Sequence, residues 1–449
     1  MKDFVGATLE KIEQSDPLPV LGKISEAIGL VLEGYAPHAA IGEVCKIAST
    51  KTSQQLLAEV VGFRGEKVLL MPLGDIRGIG PGSPLVIRGA QASAQIGDQL
   101  LGRVIDGLGN PIDGKGDLNT HCTQPLYASP LNPLMRKRIQ RPLDLGIRAI
   151  NGLLTCGRGQ RVGIFAGSGV GKSVLLGMIA RYTTADVNVI ALIGERGREA
   201  KEFIEKELKE EGLMRSVVIV VTSDQPPLIR RRGAFLAIAI AEYFRESGKD
   251  VLFMMDSLTR LAHAQREIGL AIGEPPTTKG YTPSVFTLLP NFLERAGTSS
   301  GHGTITGLYT VLVEGDDLND PVSDAARSIL DGHIILSRAL ASNNHYPAID
   351  ILNSKSRVMM DLIGEKHFNH ANKLIDLIAT YKNAEDLINI GAYKQGSNPK
   401  IDRSIALWEA IESYLQQETH TKAGLQESIA FLYKLFEPQN TESFHLMEQ

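Results

Sequence analysis

The sequence contains little cysteine, one tryptophan and no long uninterrupted apolar run. Its three cysteines, Cys45, Cys122 and Cys156, lie far apart and lack the spacing of a zinc site or a disulfide framework, so we interpret them as buried thiols. The longest apolar stretch, AFLAIAIAEYF, contains Glu242 and falls short of the ~20 residues that span a bilayer. The first residues also lack the pattern of a signal peptide, and we therefore expect a cytoplasmic protein.

A strong excess of charge of one sign is also absent, since the formal net charge is −4 at pH 7. A chain without a basic excess has no general attraction to phosphate backbones, so we expect no nucleic-acid partner. The chain has 449 residues, more than the ~250–300 that one core accommodates, and should form two or three domains.

The pattern of apolar residues divides the chain into four segments. Residues 1–20 have helical spacing and form an amphipathic tail that either packs on its own domain or docks a partner. Residues 21–95 alternate short β-type runs with turns, which is typical of a small antiparallel barrel or sandwich. Residues 96–380 alternate apolar strands with helices and predict an α/β domain with a mainly parallel sheet covered on both faces. Residues 381–449 predict a C-terminal helical domain.

The stretch FAGSGVGKS, residues 165–173, matches a phosphate-binding loop except that Ala166 replaces the first glycine. Loop amides and a helix N-terminus bind phosphate oxygens, Lys172 reaches the β and γ phosphates, and the Ser173 hydroxyl binds Mg²⁺. Position 166 needs only a small side chain, so phosphate binding should persist. The predicted nucleotide-binding residues are Gly167, Ser168, Gly169, Val170, Gly171, Lys172 and Ser173.

Two carboxylates follow apolar strands of the same α/β segment. Asp256 ends the run DVLFMMD, where an acid can hold the water shell of Mg²⁺. Glu195 follows the run VNVIALIG, where it can orient or polarise an attacking water. Taken singly, each acid is also compatible with a role at a helix N-terminus.

Five segments resemble, in order, the ATPases of type III protein export, which serve flagella and injectisomes and are related to the catalytic subunit of rotary ATP synthases. These segments are RGQRVGIFAGSGVGKSVLLGMIAR, LIGERGRE, DSLTRLAHAQREIGLAIGEPPTTKGYTPSVF, EGDDLNDPVSDAARSILDGHI and HYPAIDILNSKSRVM. The resemblance is close over residues 95–400, and Ala166 is part of it. It implies an N-terminal β-barrel, a RecA-like P-loop ATPase core and a C-terminal helical domain, assembled as a homohexamer with ATP sites between subunits.

The resemblance also implies roles for individual residues. Glu195 matches the catalytic carboxylate, and Arg196 beside it is a further site residue. Arg260 matches an arginine near the γ-phosphate, and Tyr346 matches the aromatic that packs against adenine. Arg357 matches an arginine finger that enters the neighbouring subunit's site, with a structural salt bridge as the alternative.

The implied activity is ATP hydrolysis that releases chaperones and promotes export of substrates through a membrane gate. The loop GAYKQGSN, residues 391–398, lacks the acidic tip of rotary-synthase catalytic subunits, which favours an export ATPase. Glu195 argues against a non-catalytic subunit, and the absence of interleaved aromatic and basic residues argues against a Rho-like RNA helicase. The motifs GEPPTTKGYTPSVF and NDPVSDAARSILDGHI favour the flagellar branch, with an injectisome ATPase as the alternative.

The resemblance implies several partners. The amphipathic tail would bind a dimeric stator regulator, and the C-terminal loops would face a central stalk protein. Chaperones, export substrates and the export gate are the other implied partners. The expected location is therefore the cytoplasm, with peripheral association at the cytoplasmic face of the inner membrane.

Overall fold

The computed structural model describes residues 21–49, 55–313 and 320–437. The predicted amphipathic tail, residues 1–20, lies outside this part of the chain, and its predicted role stays untested. Within the described ranges, no helix combines the length and the apolar character needed to cross a bilayer.

The first described segment is a closed barrel of six antiparallel strands. The strands are β1 (Leu21–Ile28), β2 (Val31–Tyr35), β3 (Glu43–Ala48), β4 (Gln55–Arg64), β5 (Lys67–Pro72) and β6 (Pro84–Gln91). They pair in the order β1-β2-β5-β4-β3-β6. Ile24, Leu32, Ile47, Val60 and Leu70 are buried in a core of the barrel's own. The prediction of a small antiparallel β unit is confirmed, and closure of the barrel leaves it without an open edge.

The remaining strands build the central sheet and two small ribbons. They are β7 (Ser93–Ile96), β8 (Val104–Ile105), β9 (Cys122–Pro125), β10 (Pro142–Leu143), β11 (Cys156–Gly157), β12 (Arg161–Ala166), β13 (Val187–Glu195), β14 (Ser216–Thr222), β15 (Asp250–Asp256), β16 (Gly297–Thr298), β17 (Thr304–Leu312), β18 (Gly332–Leu336) and β19 (Ile349–Ser356). The central sheet has the order β19-β18-β12-β17-β15-β13-β14-β8, with β16 paired to β17. Its strands are parallel except at the β18–β19 and β16–β17 pairs.

Helices cover the sheet and form the C-terminal region. They are α1 (Arg148–Leu153), α2 (Lys172–Tyr182), α3 (Gly197–Glu202), α4 (Lys209–Met214), α5 (Pro227–Glu246), α6 (Leu258–Ile272), α7 (Pro283–Leu293), α8 (Pro321–Ile329), α9 (Arg338–Ser342), α10 (Met359–Leu362), α11 (Glu365–Asn389), α12 (Pro399–Leu415) and α13 (Leu425–Lys434). Short 3₁₀ turns occur at Asp98–Leu100, Pro133–Met135 and Thr278–Gly280, and a π-helical turn occurs at Phe203–Leu208.

Burial of both sheet faces explains why the strands are apolar throughout. Val189 and Ala191 of β13 enter one hydrophobic cluster, while Ile190 and Leu192 enter another on the opposite side. Alternate residues of a strand point to opposite faces, so a sheet covered on both sides selects a continuous apolar run. The predicted mainly parallel, doubly covered sheet is confirmed.

The C-terminal helices α11 and α12 form a hairpin whose connecting loop contains residues 391–398. Asp402 closes this loop, because its carboxylate accepts hydrogen bonds from the Gly396 amide at 3.0 Å and the Tyr393 hydroxyl at 2.9 Å. The four-segment division stays a prediction, and its boundary between residues 380 and 381 falls inside α11.

Candidate nucleotide site

The phosphate loop connects the carboxyl end of β12 to the first residue of α2. Gly169 and Gly171 have φ angles of 77° and 86°, in the left-handed region that favours glycine. Val170 is buried between them and anchors the loop in the core, whereas Ser168 is exposed. Ala166 lies between β17 and β18 in the sheet, and its side chain is buried in the hydrophobic cluster on one face, which is consistent with the expectation that a small residue suffices there.

Behind the loop, the structure brings together the predicted lysine and both predicted carboxylates. The Lys172 ammonium lies 2.6 Å from Oδ1 of Asp256 and 3.7 Å from Oε1 of Glu195. The three side chains are only 13%, 7% and 14% exposed. Glu195 and Asp256 end β13 and β15, which are neighbouring parallel strands, so their carboxyl ends meet at one edge of the sheet.

Burial and charge together set the protonation of this cluster. Burial disfavours the charge of Lys172, but Asp256 and Glu195 outweigh it and raise the pKa of the ammonium. Burial, followed by the Asp256 carboxylate, raises the pKa of Glu195, while Lys172 and Arg260 act in the opposite direction. A carboxylate with a raised pKa is a stronger base than an ordinary glutamate and suits proton transfer near neutral pH.

Two of the three predicted arginines, Arg260 and Arg196, occupy different environments. Arg260 packs against Gly194, where an added Cβ would meet its Cβ at 2.9 Å, and its Nε is buried without a hydrogen-bond partner in the described part of the chain. Arg196 is 81% exposed and contacts Glu199 at 2.8 Å. The structure thus places Arg260 beside Glu195, while Arg196 faces solvent.

The donors at this edge of the sheet fit Mg²⁺. Asp256 supplies a carboxylate, and Ser173, the second residue of α2, is exposed. Hard oxygen donors are the ligands that Mg²⁺ prefers, and the ion is held by one or two protein groups together with substrate phosphates. The described residues contain no cluster of three or more acidic, histidine or cysteine side chains that could hold a metal ion. Oε1 of Glu195 is buried, lies 3.7 Å from the Lys172 ammonium and accepts no hydrogen bond within the described ranges.

A cavity of about 1660 Å³ opens beside the loop and extends to the C-terminal helices. Tyr346 lines it, is 40% exposed and lies against Gly171, where an added Cβ would be 3.3 Å from the ring carbon Cε1. Residues 416–421, which connect α12 to α13, form part of its wall. The predicted aromatic is therefore placed next to the phosphate loop, at the wall of this cavity.

The sequence did not identify Gln417 as a site residue, although its hydrogen bonds hold this part of the cavity wall against the rest of the fold. The side-chain oxygen of Gln417 accepts from the Arg148 amide at 2.8 Å, and its amide group donates to the carbonyls of Gly146 and Thr421, both at 2.8 Å. The backbone amide of Gln417 also donates to the Tyr346 carbonyl at 3.0 Å. Apart from Thr421, these partners are distant in the chain and follow no spacing rule that identifies them.

Thr310 was also missed, although the sequence contains a signal for it. Its hydroxyl donates to Oδ1 of Asp256 at 2.7 Å and is fully buried. It is a polar residue near the carboxyl end of the apolar strand TITGLYTVL. Polar residues at that end of a buried parallel strand face the ligand edge of the sheet, which identifies such a residue as a site candidate.

Arg357 lies away from the phosphate loop of its own chain. It follows β19, whose last residue, Ser356, pairs with Gly332 at the beginning of β18. Since β18 runs parallel to β12, this pairing places Arg357 near the amino end of β12, roughly 16 Å from the loop at ~3.3 Å per residue. Arg357 is exposed and donates to the Arg327 carbonyl at 3.0 Å.

Comparisons with known proteins agree with this geometry. Residues 24–89 and 146–356 match the beta-barrel and nucleotide-binding domains of the ATP synthase alpha/beta family, and residues 363–434 match the T3SS EscN ATPase C-terminal domain. A flagellum-specific ATP synthase of Bacillus subtilis is 53% identical over 430 residues, covering 95% of this chain and 98% of the relative.

Two solved structures of the assembled ATPase EscN from the type III secretion system of enteropathogenic Escherichia coli are also similar. The first has a TM-score of 0.86 and 47% identity and covers 92% of this chain and 99% of EscN. The second, with EscN in complex with its central stalk EscO, has a TM-score of 0.86 and 46% identity over the same shares.

Proposed function

We propose, from the premise that the chain belongs to the ATP synthase alpha/beta family and to its type III export ATPases, that it hydrolyses ATP to support flagellar protein export. The observation that carries this proposal is the buried contact of Lys172 with Asp256 and Glu195 behind the phosphate loop. The Bacillus subtilis flagellar relative, at 53% identity, supports the flagellar assignment. The likeness to EscN keeps an injectisome ATPase as the alternative.

Each of the site residues would have a separate role in hydrolysis. Loop amides between Gly167 and Gly171 would bind the phosphates, and the Lys172 ammonium would leave Asp256 to neutralise the β and γ phosphates. Once Lys172 has moved to the phosphates, Glu195 would orient a water and take up its proton. Arg260 would stabilise the charge that develops on the γ-phosphoryl group. Tyr346 would pack against the base.

Mg²⁺, when bound, would neutralise phosphate charge and screen the leaving group. Ser173 would bind the ion directly, and Asp256 would hold it through water. Both residues are oxygen donors at the carboxyl edge of the sheet, where the phosphate loop leads into α2.

Assembly is part of the proposed function. The exposed Arg357 lies too far from its own loop to reach it, which supports a homohexamer in which Arg357 enters the site of the neighbouring subunit. EscN has been solved assembled and with its central stalk EscO. By the same likeness, the loop at residues 391–398 would face a central stalk protein.

The finer partners follow from the export function. We propose that chaperones and export substrates are delivered to this ATPase at the export gate, with peripheral association at the cytoplasmic face of the inner membrane. A dimeric stator regulator would bind the tail at residues 1–20.

Replacing Glu195 by glutamine tests the catalytic assignment. The variant should lose about 10²- to 10⁴-fold in kcat, because the base is removed, while ATP binding persists. Lys172→Ala should weaken ATP binding as well as turnover, measured by nucleotide titration and phosphate release. Glu205→Gln is the matched control, since Glu205 is 61% exposed beyond α3 and contacts only the exposed Lys201 in the described chain. Near-normal turnover of Glu195→Gln would overturn the proposal.

The flagellar and injectisome branches are separated in the organism that carries the gene. Deleting the gene should abolish flagellar assembly and swimming, and the wild-type gene should restore both, whereas Glu195→Gln should not. Normal swimming combined with loss of another secreted set of proteins would instead support the injectisome alternative.

A further inference from the structure

Strand β17 lies between the strand that leads to the phosphate loop and the strand that ends in Asp256. It pairs with β12 on one side and with β15 on the other. Met255 is opposite Tyr309 in this register, so the next residue, Thr310, lies beside Asp256. A side chain at this point of the sheet faces the same edge as Lys172 and Asp256.

The Thr310 hydroxyl and the Lys172 ammonium share one oxygen of Asp256. Thr310 Oγ1 lies 2.7 Å from Oδ1, and Lys172 Nζ lies 2.6 Å from the same atom. Thr310 is 0% exposed and Asp256 is 5% exposed, so both bonds are shielded from water. Both donors are on Oδ1, and no other described side chain donates to Oδ2, so the second oxygen is left for another ligand.

We propose that Thr310 is a positioning residue that fixes the Asp256 carboxylate, so that Oδ2 faces the water shell of Mg²⁺. The inference rests on the proposed function, in which Lys172 transfers to the phosphates when nucleotide binds. Asp256 then loses one donor, and Thr310 keeps Oδ1 in place. Groups that hold a metal's carboxylate through hydrogen bonds typically change metal affinity ~10- to 100-fold when removed.

The same two strands contain a matched pair at their other end. Thr304 Oγ1 donates to Oδ1 of Asp250 at 2.7 Å, and both residues are buried. Like the Thr310–Asp256 pair, it joins a threonine hydroxyl of β17 to an aspartate oxygen of β15 at 2.7 Å. It lies at the amino edge of the sheet, away from the phosphate loop. Thr304→Val therefore measures what loss of such a bond does to stability alone.

The test compares Thr310→Val, Thr310→Ser and Thr304→Val with the wild type. A fluorescent ATP analogue is titrated at increasing Mg²⁺ and, separately, in EDTA, and thermal unfolding is followed for each protein. For Thr310→Val we expect the Mg²⁺ concentration at half-maximal effect to rise about 10-fold, with unchanged analogue affinity in EDTA. Thr310→Ser should restore the wild-type Mg²⁺ requirement because it keeps the hydroxyl, and Thr304→Val should leave that requirement unchanged.

Equal Mg²⁺ requirements in Thr310→Val and Thr304→Val would overturn the proposal, as would a Thr310→Ser variant that behaves like Thr310→Val. Weaker binding of the analogue in EDTA would also contradict it, because a positioning role toward Mg²⁺ predicts no such loss. The wild type separates failure of this proposal from failure of the proposed function. If the proposed function is wrong, the wild type itself should bind the analogue with no dependence on Mg²⁺.

Discussion

The surroundings of Glu195 shift the pKa of its carboxyl group away from that of an ordinary glutamate. Burial and the nearby Asp256 carboxylate raise its pKa, and the charges of Lys172 and Arg260 partly offset them. The unprotonated carboxylate is the form that accepts a proton from water. Activity should therefore fall with decreasing pH at a higher pH than an ordinary glutamate would give.

Arg260→Gln tests this balance at a single residue. Removing the positive charge removes an influence that lowers the pKa of Glu195, so that pKa should rise further. The acid limb of the pH profile of kcat/KM, which reports groups of the free enzyme, should move to higher pH, in addition to any loss of kcat. Arg266→Gln, in the same helix, is the control and should leave the limb in place. If the acid limb of the Arg260→Gln profile is unchanged or moves to lower pH, the assignment of that limb to Glu195 is contradicted.

At the scale of elements, features that depend on local sequence could be predicted and those formed by distant segments could not. Lys172 belongs to a local loop motif, and Glu195 and Asp256 each end an apolar strand, so the sequence could place all three at one edge of the sheet. Position alone did not decide the role of either acid, and the resemblance supplied the catalytic role of Glu195. Turn-forming residues surround Val104–Ile105 in the chain, yet this short strand joins the sheet beside β14. Gln417 contacts Gly146 and Arg148, which come together with it only in the folded chain.

The segment at residues 416–421 should control nucleotide affinity through Gln417. Gln417→Ala removes three side-chain hydrogen bonds of a residue that is 7% exposed, and each such bond is worth about 0.5–1.5 kcal/mol. We expect the KM for ATP to rise about 10-fold, the equivalent of ~1.4 kcal/mol, while kcat changes little.

Gln426→Ala is the control for this element, because Gln426 is exposed on the neighbouring helix α13. Steady-state kinetics over a range of ATP concentrations separate the two parameters. A fall in kcat at constant KM would show that the segment does not act through nucleotide binding.

At the scale of the whole molecule, a buried polar junction joins the barrel to the ATPase core. Glu59 of β4 is fully buried and accepts from Arg231 of α5 at 2.8 Å and from the Tyr127 hydroxyl at 3.0 and 3.1 Å. Burial raises the pKa of Tyr127 to about 12, so its hydroxyl stays protonated and donates at physiological pH. The barrel, the segment after β9 that contains Tyr127, and helix α5 are thus joined at one carboxylate.

Glu59→Gln should destabilise the chain because it leaves the Arg231 charge buried without its counter-charge. The expected loss is about 3–5 kcal/mol, measured as a lower midpoint of urea denaturation. Glu26→Gln is the control on the same barrel, since the Glu26 side chain is 55% exposed and lies 3.9 Å from Lys67. Equal midpoints for the two variants would show that the junction contributes no more than a surface ion pair.

The proposed role of Arg357 is to complete the site of a neighbouring subunit. Mixing Arg357→Ala with Lys172→Ala subunits, each inactive alone, should restore part of the ATPase activity. In a ring mixed at random, about one interface in four combines an intact loop with an intact Arg357 from its neighbour. No recovery is expected when Arg357→Ala is mixed with the double variant Lys172→Ala/Arg357→Ala, because no interface then contains Arg357. Equal activity in both mixtures would mean that Arg357 acts within its own chain, although the strand pairing places it at the opposite edge of the sheet from its own phosphate loop.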